Sequence, residues 1–166
     1  MIQSLKATHI VGGEIYYDYL GGNKYKITLK LFRDCINGQP PFGGQGEGHT
    51  IVNIFNYNNE LIQQVLMGEP VVTGVPSSAN NPCMKAPESI CVEQGVYEKI
   101  VFLPPNDDGY FLIHEICCRN STILNLVNPS AQGSLYKTYI PGTKKGWGNS
   151  SPRYDNYPDI FICINE

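Results

Sequence analysis

Apolar and polar residues alternate with a period of two through much of the chain. Tyr25, Ile27, Leu29 and Leu31 are interleaved with Lys24, Lys26, Thr28 and Lys30, which predicts a strand with one buried and one wet face. Gly21-Gly22-Asn23 ahead of it predicts a hairpin turn from a tyrosine-rich strand over 14–20, because glycine tolerates positive φ. A strand over 50–57 turns at Asn58-Asn59-Glu60 into another over 61–67, and 71–75 adds a short edge strand. Strands over 97–103 and 110–118 flank the turn-rich Pro104-Pro105-Asn106-Asp107-Asp108-Gly109. Segments 134–140 and 160–164 bring the expected total to about eight to ten strands. Helical periodicity is nearly absent; the one candidate is a single turn around 121–127, ended by Asn128-Pro129. Short strands between Gly- and Pro-rich loops predict an all-β fold, an Ig-like antiparallel β-sandwich with a Greek-key element and long disulfide-stapled loops.

At 166 residues the chain has the length of one domain and buries a core without help. A net charge of −3 offers no basic face for nucleic acid or anionic lipid. Only 16% of residues are charged, against 17 glycines, 12 prolines and 11 tyrosines, a composition that suits an extracellular β-protein. No apolar run reaches the roughly 20 residues needed to span a bilayer. Met1-Ile2-Gln3-Ser4-Leu5-Lys6 lacks the apolar stretch of a signal peptide. Residues 1–6 are therefore expected to be a leader remnant or added residues. Residues 7–166 are expected to form one sandwich module excised from a longer chain, since a strand pattern runs almost to the end.

The six cysteines, Cys35, Cys83, Cys91, Cys117, Cys118 and Cys163, have no zinc spacing, so they read as disulfides formed in an oxidising compartment. Neighbouring residues at a strand end project to opposite faces, which predicts different partners for Cys117 and Cys118. Cys83 and Cys91 share one loop and are expected to close it. That leaves Cys35 and Cys163 for the vicinal pair, in either order.

The motifs offer no reaction. Ile10-Val11-Gly12-Gly13 matches the activated N-terminus of chymotrypsin-like proteases, but the serine and histidine contexts of that family are missing. His114 and Cys117 resemble a nucleophile pair, yet on a strand they face opposite ways, and an oxidised thiol is no nucleophile. His114 and Glu115 are expected on the two sides of one strand. Asp107-Asp108-Gly109 lacks the oxygen-ligand pattern of a calcium loop and reads as a turn. Arg33, Asp34 and Arg119 are expected to form a partly buried ion-pair cluster beside a disulfide. Asn120-Ser121-Thr122 and Asn149-Ser150-Ser151 fit the N-glycosylation pattern. The single tryptophan, Trp147, sits between glycines with Lys144, Lys145 and Tyr154 nearby. This group is the candidate binding site, because aromatics anchor partners and sugars.

The landmarks run in order along the chain. They are Ala7-Thr8-His9-Ile10-Val11-Gly12-Gly13-Glu14-Ile15, Arg33-Asp34-Cys35, Asn81-Pro82-Cys83 and Cys91-Val92-Glu93, with Gly95 and Tyr97 following. Next come Leu103-Pro104-Pro105, Gly109-Tyr110, Cys117-Cys118-Arg119-Asn120 with Ile123 and Asn125, and Asn149-Ser150-Ser151-Pro152. The set resembles the N-terminal module of large cell-surface proteins of Bacteroidota, which carry PKD or Ig-like repeats and a gliding-motility-associated sorting domain read by type IX secretion. The resemblance implies a secreted, non-catalytic structural or adhesive module that binds other domains of its own long chain or surface protein partners. The residues themselves, without a converging nucleophile and base, a metal-ligand cluster or a phosphate-cradling glycine loop, lead to the expectation of no enzyme, no cofactor and no metal. Two other classes are weighed against the adhesive module: a carbohydrate-binding module of a polysaccharide-handling protein, with Trp147 as platform and glycans as ligand, and an extracellular hydrolase.

Overall fold

The computed structural model describes residues 10–36, 38, 42, 50–75, 91–121, 123–142 and 148–153. Among them run eight strands: β1 (Ile10–Gly21), β2 (Lys24–Asp34), β3 (Ile51–Asn56), β4 (Leu61–Leu66), β5 (Val71–Val75), β6 (Val92–Phe102), β7 (Tyr110–Ile116) and β8 (Ser134–Ile140). They form two antiparallel four-stranded sheets, ordered β1-β2-β6-β5 and β4-β3-β7-β8. Lettered A to G in chain order with β4 as C′, this is ABED packed on C′CFG, the immunoglobulin arrangement.

A tyrosine corner supports the same assignment. Tyr110 opens β7 at the turn from β6, and its hydroxyl donates 2.8 Å to the carbonyl of Pro104, six residues upstream. That is the position and the bond this device has in Ig-like domains.

The core lies between the sheets. Tyr17, Tyr25, Ile27, Leu29, Leu31, Tyr97 and Val101 face Val52, Ile54, Val65, Tyr110, Leu112 and Ile140. The alternation of β2 places its odd positions inward, as the period of two requires. Gly13 leaves no room for a side chain: a Cβ there would lie 2.7 Å from the Lys30 carbonyl oxygen in the neighbouring strand and 2.9 Å from the Tyr136 ring.

Several local expectations are corrected. Over residues 123–127 the expected helical turn is replaced by turns and bends, and a single 3-10 turn follows at Pro129–Ala131. Pro129 stands at its start rather than ending a helix, where the missing N–H is no loss. Strand β7 ends at Ile116, paired with Ser134, and not at Cys118. The 160–164 segment lies outside the described residues.

The disulfide pairing also differs from expectation. Cys35 is bonded to Cys91, with a Cα–Cα distance of 5.4 Å, rather than Cys83 to Cys91. The register explains it: Asp34↔Val92 is the last pair of β2 and β6, so the residue after one strand meets the residue before the other. Cys117 and Cys118 are bonded to each other. They sit beyond the last ladder pair of β7, where the opposite-face rule of a strand no longer applies. Cys83 and Cys163 lie outside the described residues.

Candidate functional site

The two sheets present outer faces of opposite character. On β1-β2-β6 the outward residues form a lattice of ion pairs. Lys26 lies 3.0 Å from Glu98 and 3.7 Å from Asp18, Lys30 lies 2.8 Å from Glu14, and Arg153 reaches Asp18 at 3.8 Å. The hydrogen bond that Lys26 donates to Glu98 holds its ammonium above its ordinary pKa. Apolar residues are exposed towards the β5 side of the same face: Val71 and Val75 on β5, and Ile100 and Phe102 where β6 runs beyond the residues paired with β5. A mesh of exposed, mutually neutralised charges is a face made for water.

The outer face of β4-β3-β7-β8 carries aromatic and aliphatic side chains instead. Phe55, Phe111 and Tyr139 are register partners across three strands, with Leu61 beside Phe55 on β4. Tyr57, just past β3, stacks on Phe111 with centroids 6.3 Å apart, and Phe111 meets Tyr139 at 4.9 Å. The next row holds Gln64, Asn53, Ile113 and Lys137, and beyond it Ile51 pairs with Leu66 and Glu115 with Leu135. Tyr57, Leu61, Leu66 and Leu135 are 60%, 50%, 48% and 55% exposed.

Polar groups on this face are few and placed. Gln64 donates 3.0 Å to the Asn53 side-chain oxygen. Lys137 lies 4.0 Å above the Phe111 ring, a cation–π contact. A shallow cleft of about 360 Å³ continues the face below Glu115 and Leu135, bordered by Cys117 and Gly133. Apolar rows thus flank a central row in which three of the four residues, Gln64, Asn53 and Lys137, are polar.

Other signals in the sequence turn out to be structural. His114 is buried between the sheets, its Nδ1 2.8 Å from the Ile51 carbonyl oxygen and its ring stacked on Tyr136, while Glu115 is exposed on the opposite side. Asp107 and Asp108 occupy a turn in which the Asp108 amide donates 2.8 Å to the Asn106 side chain. No group of three or more metal-ligating side chains occurs among the described residues. Ile10 of the protease-like tetrapeptide is buried as the first residue of β1.

The expected cluster of Arg33, Asp34 and Arg119 is arranged differently. Buried Arg33 pairs with Glu93, which the sequence reading passed over, and Arg119 donates 3.1 Å to the Gly133 carbonyl. Asp34 accepts 3.2 Å from the side-chain amide of Asn120, whose backbone N–H donates 3.1 Å to Ile10. Both glycosylation-pattern asparagines are engaged: Asn120 is buried, and Asn149 accepts 3.0 Å from the Tyr17 hydroxyl.

Trp147, Lys144, Lys145 and Tyr154, the binding residues expected from sequence, lie outside the described residues. The aromatic face was missed, although a signal for it exists. Where β2 alternates cleanly, Tyr110-Phe111-Leu112-Ile113 and Ile51-Val52-Asn53-Ile54-Phe55 are apolar on both faces. In an antiparallel sheet one face of such a strand is left without a core to enter. Comparison with protein-family models, curated proteins and solved structures gives no match.

Proposed function

We propose that the chain is a non-catalytic structural or adhesive module of a secreted bacterial cell-surface protein, and that it binds protein partners through the outer face of β4-β3-β7-β8. The observation that carries this reading is the contrast between the two sheets. Over β1, β2 and β6 one face is covered by paired charges, with Val71, Val75, Ile100 and Phe102 exposed towards its β5 side, whereas the other carries Phe55, Tyr57, Phe111, Tyr139, Leu61, Leu66 and Leu135. Apolar area exposed at a cost in solubility is retained where a partner covers it. The Cys35–Cys91 bond fits an oxidising, extracellular setting.

The rings favour protein over sugar. Phe111 and Tyr139 stand 4.9 Å apart at 35°, too close to lie side by side as one flat platform for a pyranose chain. One side of Phe111 is occupied by Lys137. Overlapping rings of this kind give a ribbed surface that interdigitates with other side chains.

The test uses beads coated with the chain, layered on protein films, on polysaccharide films and on a glycan array. Retention on protein films, lost in a Tyr57→Arg/Leu135→Arg variant, is the expected result. Strong retention on one polysaccharide that survives this double substitution would overturn the reading in favour of carbohydrate binding. Hydrolysis of a film by the purified chain would overturn its non-catalytic part.

A further inference from the structure

The aromatic face has a layout that specifies an occupant. It carries one cation and one anion, Lys137 and Glu115, and among the described residues neither forms an ion pair within the chain. Both are exposed on neighbouring strands, one row apart. A cation and an anion side by side on one face form a pattern that is complementary to itself under a twofold axis.

We propose that this face docks a second copy of the chain, related by a twofold axis that runs diagonally across the strands and sets Lys137 of each copy on Glu115 of the other. The inference rests on the reading of this face as the binding surface and deepens it by naming the partner.

The geometry follows from the register. Strands lie about 4.8 Å apart, and residues on one face recur about every 6.8 Å along each strand. With β4, β3, β7 and β8 as columns, Lys137 occupies the last column on the Asn53–Ile113 row, and Glu115 the third column one row further on. The line that bisects this pair passes through the centre of the face, midway between Asn53 and Ile113. A twofold axis lying on that line exchanges Lys137 and Glu115, so that two complementary ion pairs form at once and no charge is buried alone.

The same operation arranges the apolar residues. Tyr139 and Phe111 fall over Ile51 and Leu66 of the second copy, while Leu135 and Leu61 approach their own counterparts along the axis. The strands of the two faces cross at about 70°, within the range of near-orthogonal sheet packing. Four strands by three rows project about 400 Å², short of the roughly 800 Å² per partner of a standard stable interface. The pairing is therefore a reversible one, strengthened wherever several modules are displayed together.

Sedimentation velocity of the full 166-residue chain over a wide concentration range tests this. A monomer–dimer equilibrium is expected. Glu115→Lys and Lys137→Glu should each weaken it by about tenfold or more, since each brings like charges together. The double variant, with the charges exchanged, should recover most of the loss. Circular dichroism of each variant controls for folding, and both positions are exposed. A monomer at every concentration overturns the proposal, as does a double variant no better than the worse single one. If such a monomer still shows face-dependent adhesion to other proteins, self-pairing falls and the binding-module reading stands; loss of both removes both.

Discussion

Tyr17 shows how one side chain ties the sandwich together. Its ring lies in the core against Tyr25, and its hydroxyl donates to Asn149 at 3.0 Å and to the Tyr139 carbonyl at 3.3 Å. Burial, with smaller contributions from Tyr25 and Tyr139, pushes its pKa from 10.0 up to about 12. A phenol whose folded pKa lies above its unfolded one lets the unfolded chain release a proton first. Its stabilising effect is therefore complete below about pH 10 and is lost as pH rises towards about 12. Urea midpoints should fall across that window, and Tyr17→Phe should flatten the fall; a midpoint unchanged through it would contradict the assignment. Tyr110 makes a second prediction at this scale. Tyr110→Phe removes the bond to Pro104 while keeping the ring, and should cost about 1 kcal/mol by urea unfolding; no measurable loss would show that the tyrosine corner does not brace this fold. The buried fates of Tyr25 and Tyr97 could be read from alternation, whereas the Asp34–Asn120 bond could not. It joins residues 86 apart, and nothing in local sequence encodes such a contact.

At the level of elements, the β2–β6 ladder explains the staple. Eleven successive pairs run from Lys24↔Phe102 to Asp34↔Val92, and the Cys35–Cys91 bond locks the end of that ladder. Closing a separation of 56 residues restricts the unfolded chain by about 4 kcal/mol in the chain-entropy model. A Cys35→Ser/Cys91→Ser variant should lose stability on that order in urea, and a loss below about 1 kcal/mol would contradict the staple. Most strands were legible, because period-two patterning and Gly/Asn turns are local signals. The pairing of cysteines was not, because it depends on which strands are neighbours and in what register. Strand β1 is protected in a way that sequence also hid. It is the edge of its sheet, and Ser150 and Ser151 lie along it, their hydroxyls accepting from the Tyr19 and Tyr17 amides at 3.0 and 2.9 Å. A covered edge cannot recruit another strand.

For the whole molecule, the informative quantity is the difference between its two outer surfaces. Sequence patterning revealed the wet face of β2 through its lysines. It concealed the opposite sheet's outer face, because residues apolar on both sides of a strand read simply as buried. The candidate site named from sequence, around Trp147, lies outside the described residues, and the aromatic face is read from the described fold. The central claim is that partner binding belongs to the β4-β3-β7-β8 face alone. Bead retention on protein films tests it most directly when equally exposed residues on the two faces are compared. Ile100 is 58% exposed on the charged face, and Tyr57 and Leu135 are 60% and 55% exposed on the aromatic one. The account predicts that Tyr57→Arg/Leu135→Arg beads are released while Ile100→Arg beads are retained like wild type, with all three proteins folded by circular dichroism. Release of the Ile100→Arg beads with retention of the double variant would contradict it.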